Sequence, residues 1–277
     1  CVDACHARGV EVHVWKVNWN LARAPQSFID TMRAAGRTQV DVYGTELDWL
    51  CPSDPDNLAL ERDAMLEVAR LYDVDGIHFD YIRYPNGDCC YCPQCRARFE
   101  AEMGQAVANW PDDCHGGGVS AEAYRDWRAE QITALVRAVR EGVDAEGLGV
   151  EISAAVFNSY PGCQESVGQD WVAWIDEGLL DFICPMDYTD SAVEFGMLVQ
   201  SQSGFVAGRI PLVPGIGVSA SSSTLSPDQA IYQASLTRSL GAQGFILFNL
   251  GRDLAEQHLP AFALGFTAPM GHAVEIH

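Results

Sequence analysis

The 277-residue chain is 48% hydrophobic and 20% charged, with 25 Gly and 13 Pro, an ordinary globular composition able to bury one substantial core or two small ones. Acidic residues number 38 against 17 basic, a formal charge of −21, so the surface repels phosphate backbones and anionic lipid headgroups. Nucleic acid and membrane partners are therefore not expected, and no run of 18 apolar residues provides a transmembrane helix. Lys16 is the only lysine, the other sixteen basic residues being Arg. A neutral carbohydrate suits such an acidic surface.

The first nine residues, Cys1 to Gly9, read as the last turns of a helix closed by a glycine, and the chain opens on Cys rather than Met. This reads as a fragment. Six β-branched and aromatic runs then follow: 10–20, 74–84, 148–160, 180–188, 210–218 and 244–250. Amphipathic helical stretches separate them: LALERDAMLEVARLY before the second, SAEAYRDWRAEQITALVRAVREGV before the third and QDWVAWIDEGL before the fourth. Before the sixth run, Ser226-Pro-Asp-Gln229 has the residues of a capping box with proline at the first helical position, and Gly241 ends that helix.

Strand and helix alternate throughout, and near-continuous apolar strands such as FILF need cover on both faces, which predicts a parallel sheet. The glycine fingerprint of a dinucleotide fold is not found after the first strand. Polar residues instead gather at the C-terminal end of each run: Lys16 and Asn18, Asp80 and Arg83, Asn158, Asp187 and Tyr188, Ser219, Asn249. That is where a (β/α)8 barrel builds its site, one or two residues per strand. The expected fold is therefore an α/β TIM barrel, 1–277 as a single domain with about six parallel strands, the first two units lying upstream.

Two of these strand ends carry carboxylates. In DGIHFDYIRYP, Asp80 closes the strand with His78 on the same face by two-residue alternation, while Tyr81, Arg83 and Tyr84 follow at the rim. A carboxylate beside an Arg is expected to stay ionised and oriented, as a nucleophile must. In CPMDYT, Asp187 ends another strand beside apolar residues, a drier setting that raises a carboxyl pKa and suits a proton donor. A carboxylate pair flanking a glycosidic bond is what its acid-assisted cleavage requires. Their separation would decide the outcome: about 5 to 5.5 Å for retention, about 6.5 to 9.5 Å for inversion. Aromatic residues near the same ends, Trp15, Tyr81 and Tyr188 among them, offer flat faces to sugar rings. Lys16, Asn18, His78, Arg83, Asn158 and Asn249 complete the expected substrate contacts by hydrogen bonding.

The string DGIHFDYIRYP, with HARGVEVHVW before it and PMDY and GFILFN after it, resembles the glycosyl-hydrolase-like family ten barrel proteins. The resemblance covers essentially the whole chain. It implies a (β/α)8 barrel, usually exported to the extracellular space or periplasm, acting on glycosidic bonds, with Asp80 at a catalytic carboxylate position. By analogy with retaining barrels, Asp80 would be nucleophile and Asp187 general acid/base, although the roles could be exchanged. A non-catalytic carbohydrate-binding barrel is one alternative. A metal-dependent barrel hydrolase is another, for which Val12-His-Val14 supplies a single His where two are wanted.

Ten cysteines are present, and a cysteine-rich insert at 86–118 departs from the family pattern. Cys92 and Cys95 have C-x2-C spacing, and Cys89 or Cys90 with Cys114 or His115 could complete a structural zinc site, taken here as Cys89, Cys92, Cys95 and Cys114. In an exported protein, disulfides are the stronger expectation, with no cofactor required. Either cross-link would pin a loop over the barrel mouth.

Overall fold

A computed structural model of the chain describes residues 1–264. It contains two compact units, Cys1–Asp181 and a second that runs on from Phe182.

The first unit opens with α1 (Val2–His6), after which Gly9 takes φ +67, the left-handed turn expected of a glycine closing a helix. Then come β1 (His13–Val17), α2 (Gln26–Ala34), β2 (Thr38–Val40), β3 (Glu46–Leu50), α3 (Pro55–Leu71) and β4 (Gly76–Asp80). The unit is completed by α4 (Pro93–Met103), α5 (Ala121–Glu146), β5 (Glu151–Val156), α6 (Gly162–Val167) and α7 (Trp171–Asp176). β1 pairs in parallel with β4, aligning Trp15 with His78 and Val17 with Asp80. β4 pairs in parallel with β5, aligning His78 with Ser153.

Two-residue alternation divides these strands into two faces. Ile77, Phe79, Ile152 and Ala154 are at most 1% exposed on one face, the side on which α3 packs against β4. His78, Asp80 and Ser153 share the other face with Trp15. The helices are fixed by their ends. Asp54 caps α3, accepting from the Asp56 and Asn57 N–H groups at 3.1 and 3.2 Å, with Pro55 in the first turn. α5 stops at Gly147, φ +61. Where α5 crosses α3, a Cβ at Gly142 would lie 2.5 Å from the end of the Leu66 side chain, so a larger residue there would force the buried Leu66 to shift.

The antiparallel hairpin β2–β3 has no counterpart in the sequence reading. Its turn is closed by Asp41, whose Oδ1 accepts from the Tyr43 and Thr45 N–H groups. A bridge between Asn20 and Trp49 ties β3 to the segment leaving β1, so Trp49 arrives beside the C-terminal ends of β1 and β4.

The second unit contains β6 (Phe182–Pro185), α8 (Ala192–Val206), β7 (Gly215–Gly217), α9 (Pro227–Ser239), β8 (Ile246–Phe248) and α10 (Leu259–Ala263). β6 meets the segment 212–215 through parallel bridges, and β7 pairs in parallel with β8. Six parallel strands are thus found among the described residues, each inside one of the six apolar runs. The capping box of α9 forms, the Ser226 N–H donating to Gln229 Oε1 at 2.9 Å. The core of this unit is built from Phe195, Val199, Ile216, Val218, Leu225, Ala230, Ala234, Leu254 and Phe262.

Candidate functional site

Asp80 is the last residue of β4 and is 9% exposed. Its Oδ1 accepts the Tyr81 N–H at 2.7 Å and its Oδ2 accepts the Trp15 indole N–H at 2.9 Å. Both oxygens are therefore oriented. Tyr81 holds φ +53, a left-handed backbone that costs a non-glycine residue about 1 to 2 kcal/mol. Desolvation raises the Asp80 pKa, opposed by these two donors and, most weakly, by Arg83.

His78 shares the face of Asp80, as alternation predicts, but brings no positive charge to it. It bonds to Ser153 Oγ at 2.8 Å, and burial lowers its pKa to about 4, so it is neutral near pH 7. Arg83 is also held differently from a simple ion-pair partner. Its guanidinium lies over the rings of Phe157, Tyr81 and Trp49, at 4.7, 4.8 and 5.6 Å from their centroids. Trp49 and Tyr81 are themselves 5.7 Å apart. Trp15 is 55% exposed, so this oriented carboxylate sits under an open indole face.

Lys16 and Asn18, expected among the substrate contacts, lie on the opposite face of β1. Lys16 Nζ forms an ion pair with Glu61 of α3, and Asn18 Nδ2 donates to the same Glu61 Oε2 at 2.8 Å. Asn18 is fully buried. Odd and even positions of a strand point opposite ways, so Trp15 and Lys16 cannot both face the site. Asn158 follows the end of β5 and is half-buried.

In the second unit, Asp187 follows β6 and is fully buried. Gln202 Nε2 of α8 donates to its Oδ1 at 2.7 Å, while Oδ2 has no hydrogen-bond partner among the described residues. Burial raises its pKa to about 8, with Gln202 opposing. Asp187 is thus a carboxylic acid near pH 7. Tyr188 stacks on Phe248 at 5.1 Å and 18°. Asn249, just past β8, accepts from Ser219 Oγ at 3.1 Å and is exposed.

Glu61, Trp49, Ser153 and Gln202 were not singled out from the sequence. Trp49 lies in a short hairpin between helices, Ser153 inside an apolar strand, and Glu61 and Gln202 at interior helix positions where polar residues usually meet solvent. The only signal available was the opposite-parity Lys16, which needs an anion on the helix side of β1.

The cysteines also depart from expectation. No two of the ten cysteine sulfurs are joined in a disulfide in this structure. Cys89 Sγ lies 3.4 Å from Asn86 Oδ1, and Cys114 lies in a 3-10 turn. Neither joins Cys92 and Cys95, whose neighbours are Cys51 and Cys90. Adjacent Cys89 and Cys90 are both buried but meet different neighbours, and spacing alone cannot tell which one joins Cys92 and Cys95.

Comparison with known proteins places this geometry in a family. A profile described as glycosyl hydrolase-like 10 matches residues 1–213. The S-layer-related protein of Niallia circulans is 28% identical over 235 residues, 72% of this chain and 14% of that protein. Glycosyl hydrolase DigH of Escherichia coli (strain K12) is 22% identical over 227 residues, 72% of this chain and 48% of that protein. The chain therefore spans half or less of the length of these relatives. Among solved structures, the PgaB (BpsB) glycoside hydrolase domain from Bordetella bronchiseptica superposes with a TM-score of 0.67 at 14% identity, covering 92% of this chain and 74% of that one. A catalytic mutant of Gan42B, a GH42 beta-galactosidase from G. stearothermophilus, gives 0.67 at 11% identity, covering 90% and 42%. These likenesses show the fold: the α/β architecture of TIM-barrel glycoside hydrolases, with the six parallel strands above. With the family profile matching more than three quarters of its length, the chain belongs to the glycosyl hydrolase-like 10 family.

Proposed function

We propose that this protein hydrolyses glycosidic bonds of a neutral oligo- or polysaccharide, with Asp80 as the nucleophile and Asp187 as the proton donor. The observation that carries the reading is the state of Asp80: a nearly buried strand-end carboxylate, both oxygens oriented by N–H donors, one of them from the exposed indole of Trp15. An aromatic face that stacks a sugar ring and also donates to the carboxylate couples binding to orientation. Asp187 supports the second role, because an acid catalyst must hold its proton near pH 7 and burial raises its pKa to about 8. The family and the barrel fold agree with this chemistry. An extracellular or periplasmic location belongs to the same proposal, in keeping with a relative named for the S-layer. Among the described residues no helix is long and apolar enough to cross a membrane.

The test is turnover of aryl glycosides with good and poor leaving groups by the native protein, Asp80→Asn and Asp187→Asn. Asp80→Asn is expected to lose about 10^3-fold or more on both substrates. Asp187→Asn should lose far more on the poor leaving group, and the first product should retain its anomeric configuration. Near-native turnover by both folded variants would reject the assignment, and sugar binding without turnover by the native protein would favour a carbohydrate-binding barrel.

A further inference from the structure

Four cysteines from three separate chain segments converge in the first unit. Cys51 follows β3, Cys90 and Cys92 lie in the loop leaving β4, and Cys95 is in the first turn of α4. One sulfur from each lies within 4.8 Å of all the others, and each residue is at most 1% exposed. Cys51 Sγ is 3.4 Å from Cys95 Sγ and 3.9 Å from Cys92 Sγ. A disulfide brings sulfurs to about 2.05 Å. Four thiolates around a tetrahedral zinc, each bond about 2.3 Å, stand about 3.8 Å apart, and the spacing here matches that arrangement.

Hydrogen-bond donors surround the four sulfurs. The Cys95 N–H donates to Cys92 Sγ at 3.3 Å, and the Val40 N–H donates to Cys90 Sγ at 3.4 Å. Ser53 Oγ lies 3.3 Å from both Cys51 Sγ and Cys95 Sγ. Arg98 donates to Ser53 Oγ at 3.2 Å and to Asp54 at 2.9 Å, so the hydroxyl hydrogen of Ser53 is left free to point at a sulfur. Backbone and side-chain donors of this kind offset the negative charge that four thiolates place on a metal.

We propose that Cys51, Cys90, Cys92 and Cys95 bind one structural zinc ion, which locks the β2–β3 hairpin to the loop that follows Asp80. The backbone already runs in that sense: the Val42 N–H donates to the Asp88 carbonyl at 3.0 Å and the Tyr91 N–H to the Val40 carbonyl at 2.6 Å. Trp49, two residues before Cys51, packs on Tyr81 and Arg83 just beyond Asp80. The four protein ligands leave no coordination position for substrate, so the ion is structural rather than catalytic.

Elemental analysis of the full chain, purified without chelators, is expected to find about one zinc per chain. Cys51→Ser and Cys90→Ser should lose it, whereas Cys89→Ser and Cys114→Ser should retain it. The contrast between adjacent Cys89 and Cys90 separates this site from the set that spacing suggested. If the serine variants do not fold, exchange of cobalt into the native chain still reads the site, through thiolate-to-metal charge-transfer absorption and the intense visible bands of tetrahedral cobalt. Less than about one tenth of a zinc per chain with these cysteines found in disulfides overturns the proposal. So does iron in place of zinc, or equal zinc loss from Cys89→Ser and Cys90→Ser.

Discussion

Asp80 and Asp187 share an Asp-Tyr dipeptide at the end of an apolar strand, yet their carboxyls are held differently. Asp80 keeps a sliver of exposure, and both of its oxygens accept N–H groups that favour the ionised form. Asp187 is fully buried with one amide donor, and its pKa rises to about 8. The Asp-Tyr dipeptide therefore does not set the chemistry. Each carboxyl receives one side-chain donor from a neighbouring element, Trp15 for Asp80 and Gln202 for Asp187. The difference is that the Tyr81 N–H also reaches Asp80 Oδ1, whereas Asp187 Oδ2 has no partner among the described residues, and each donor offsets part of the desolvation cost of the charge.

The largest effect that would break this contrast is the pH dependence of stability. The Asp187 pKa is raised in the folded state, so the folded chain holds a proton that the unfolded chain has lost, and stability falls as pH rises from about 4 to about 8. The slope from this one group approaches about 1.4 kcal/mol per pH unit, on the order of 5 kcal/mol over the whole window. Asp187→Asn should remove that slope, read as the difference in urea midpoint between native and variant across the window. Parallel pH profiles for the two proteins would mean that Asp187 is already ionised.

A second prediction sharpens the division between the two faces of β1. Lys16→Met leaves Glu61 buried without its cation and should cost about 3 kcal/mol of stability, with kcat/KM of the folded protein unchanged. A loss of kcat/KM at unchanged denaturant midpoint would instead return Lys16 to the substrate. The smallest effect concerns the side-chain donor to Asp80. Trp15→Phe keeps a ring for stacking but removes the indole N–H, which is expected to lower turnover roughly 10- to 100-fold and to raise the apparent pKa of the acidic limb of the pH profile. Unchanged turnover and limb would show that the indole does not orient the carboxylate.

The order of the six parallel strands and of the main helices between them was legible in the residues alone. The six apolar runs contain the six parallel strands, the capping box starts α9, and Asp80 ends a strand, because strand-core burial, caps and alternation are written in local residue types. The sequence also carried the family, through the long string around Asp80. Which partner each polar group meets was settled by packing. Lys16 was legible as a strand-end cation but not as the partner of Glu61, 45 residues away. Cys92 and Cys95 were legible as a pair, but Cys51 joins them only because a hairpin invisible to periodicity folds beside the loop leaving β4. Arg83 was legible as a charge near Asp80, and its stacking on Trp49 and Phe157 required three segments to meet. Local patterning reports what a residue's immediate neighbours impose, whereas hydrogen bonds, ion pairs and metal ligands are chosen by whichever groups the packed chain brings within about 3 to 4 Å, and that choice is made in three dimensions.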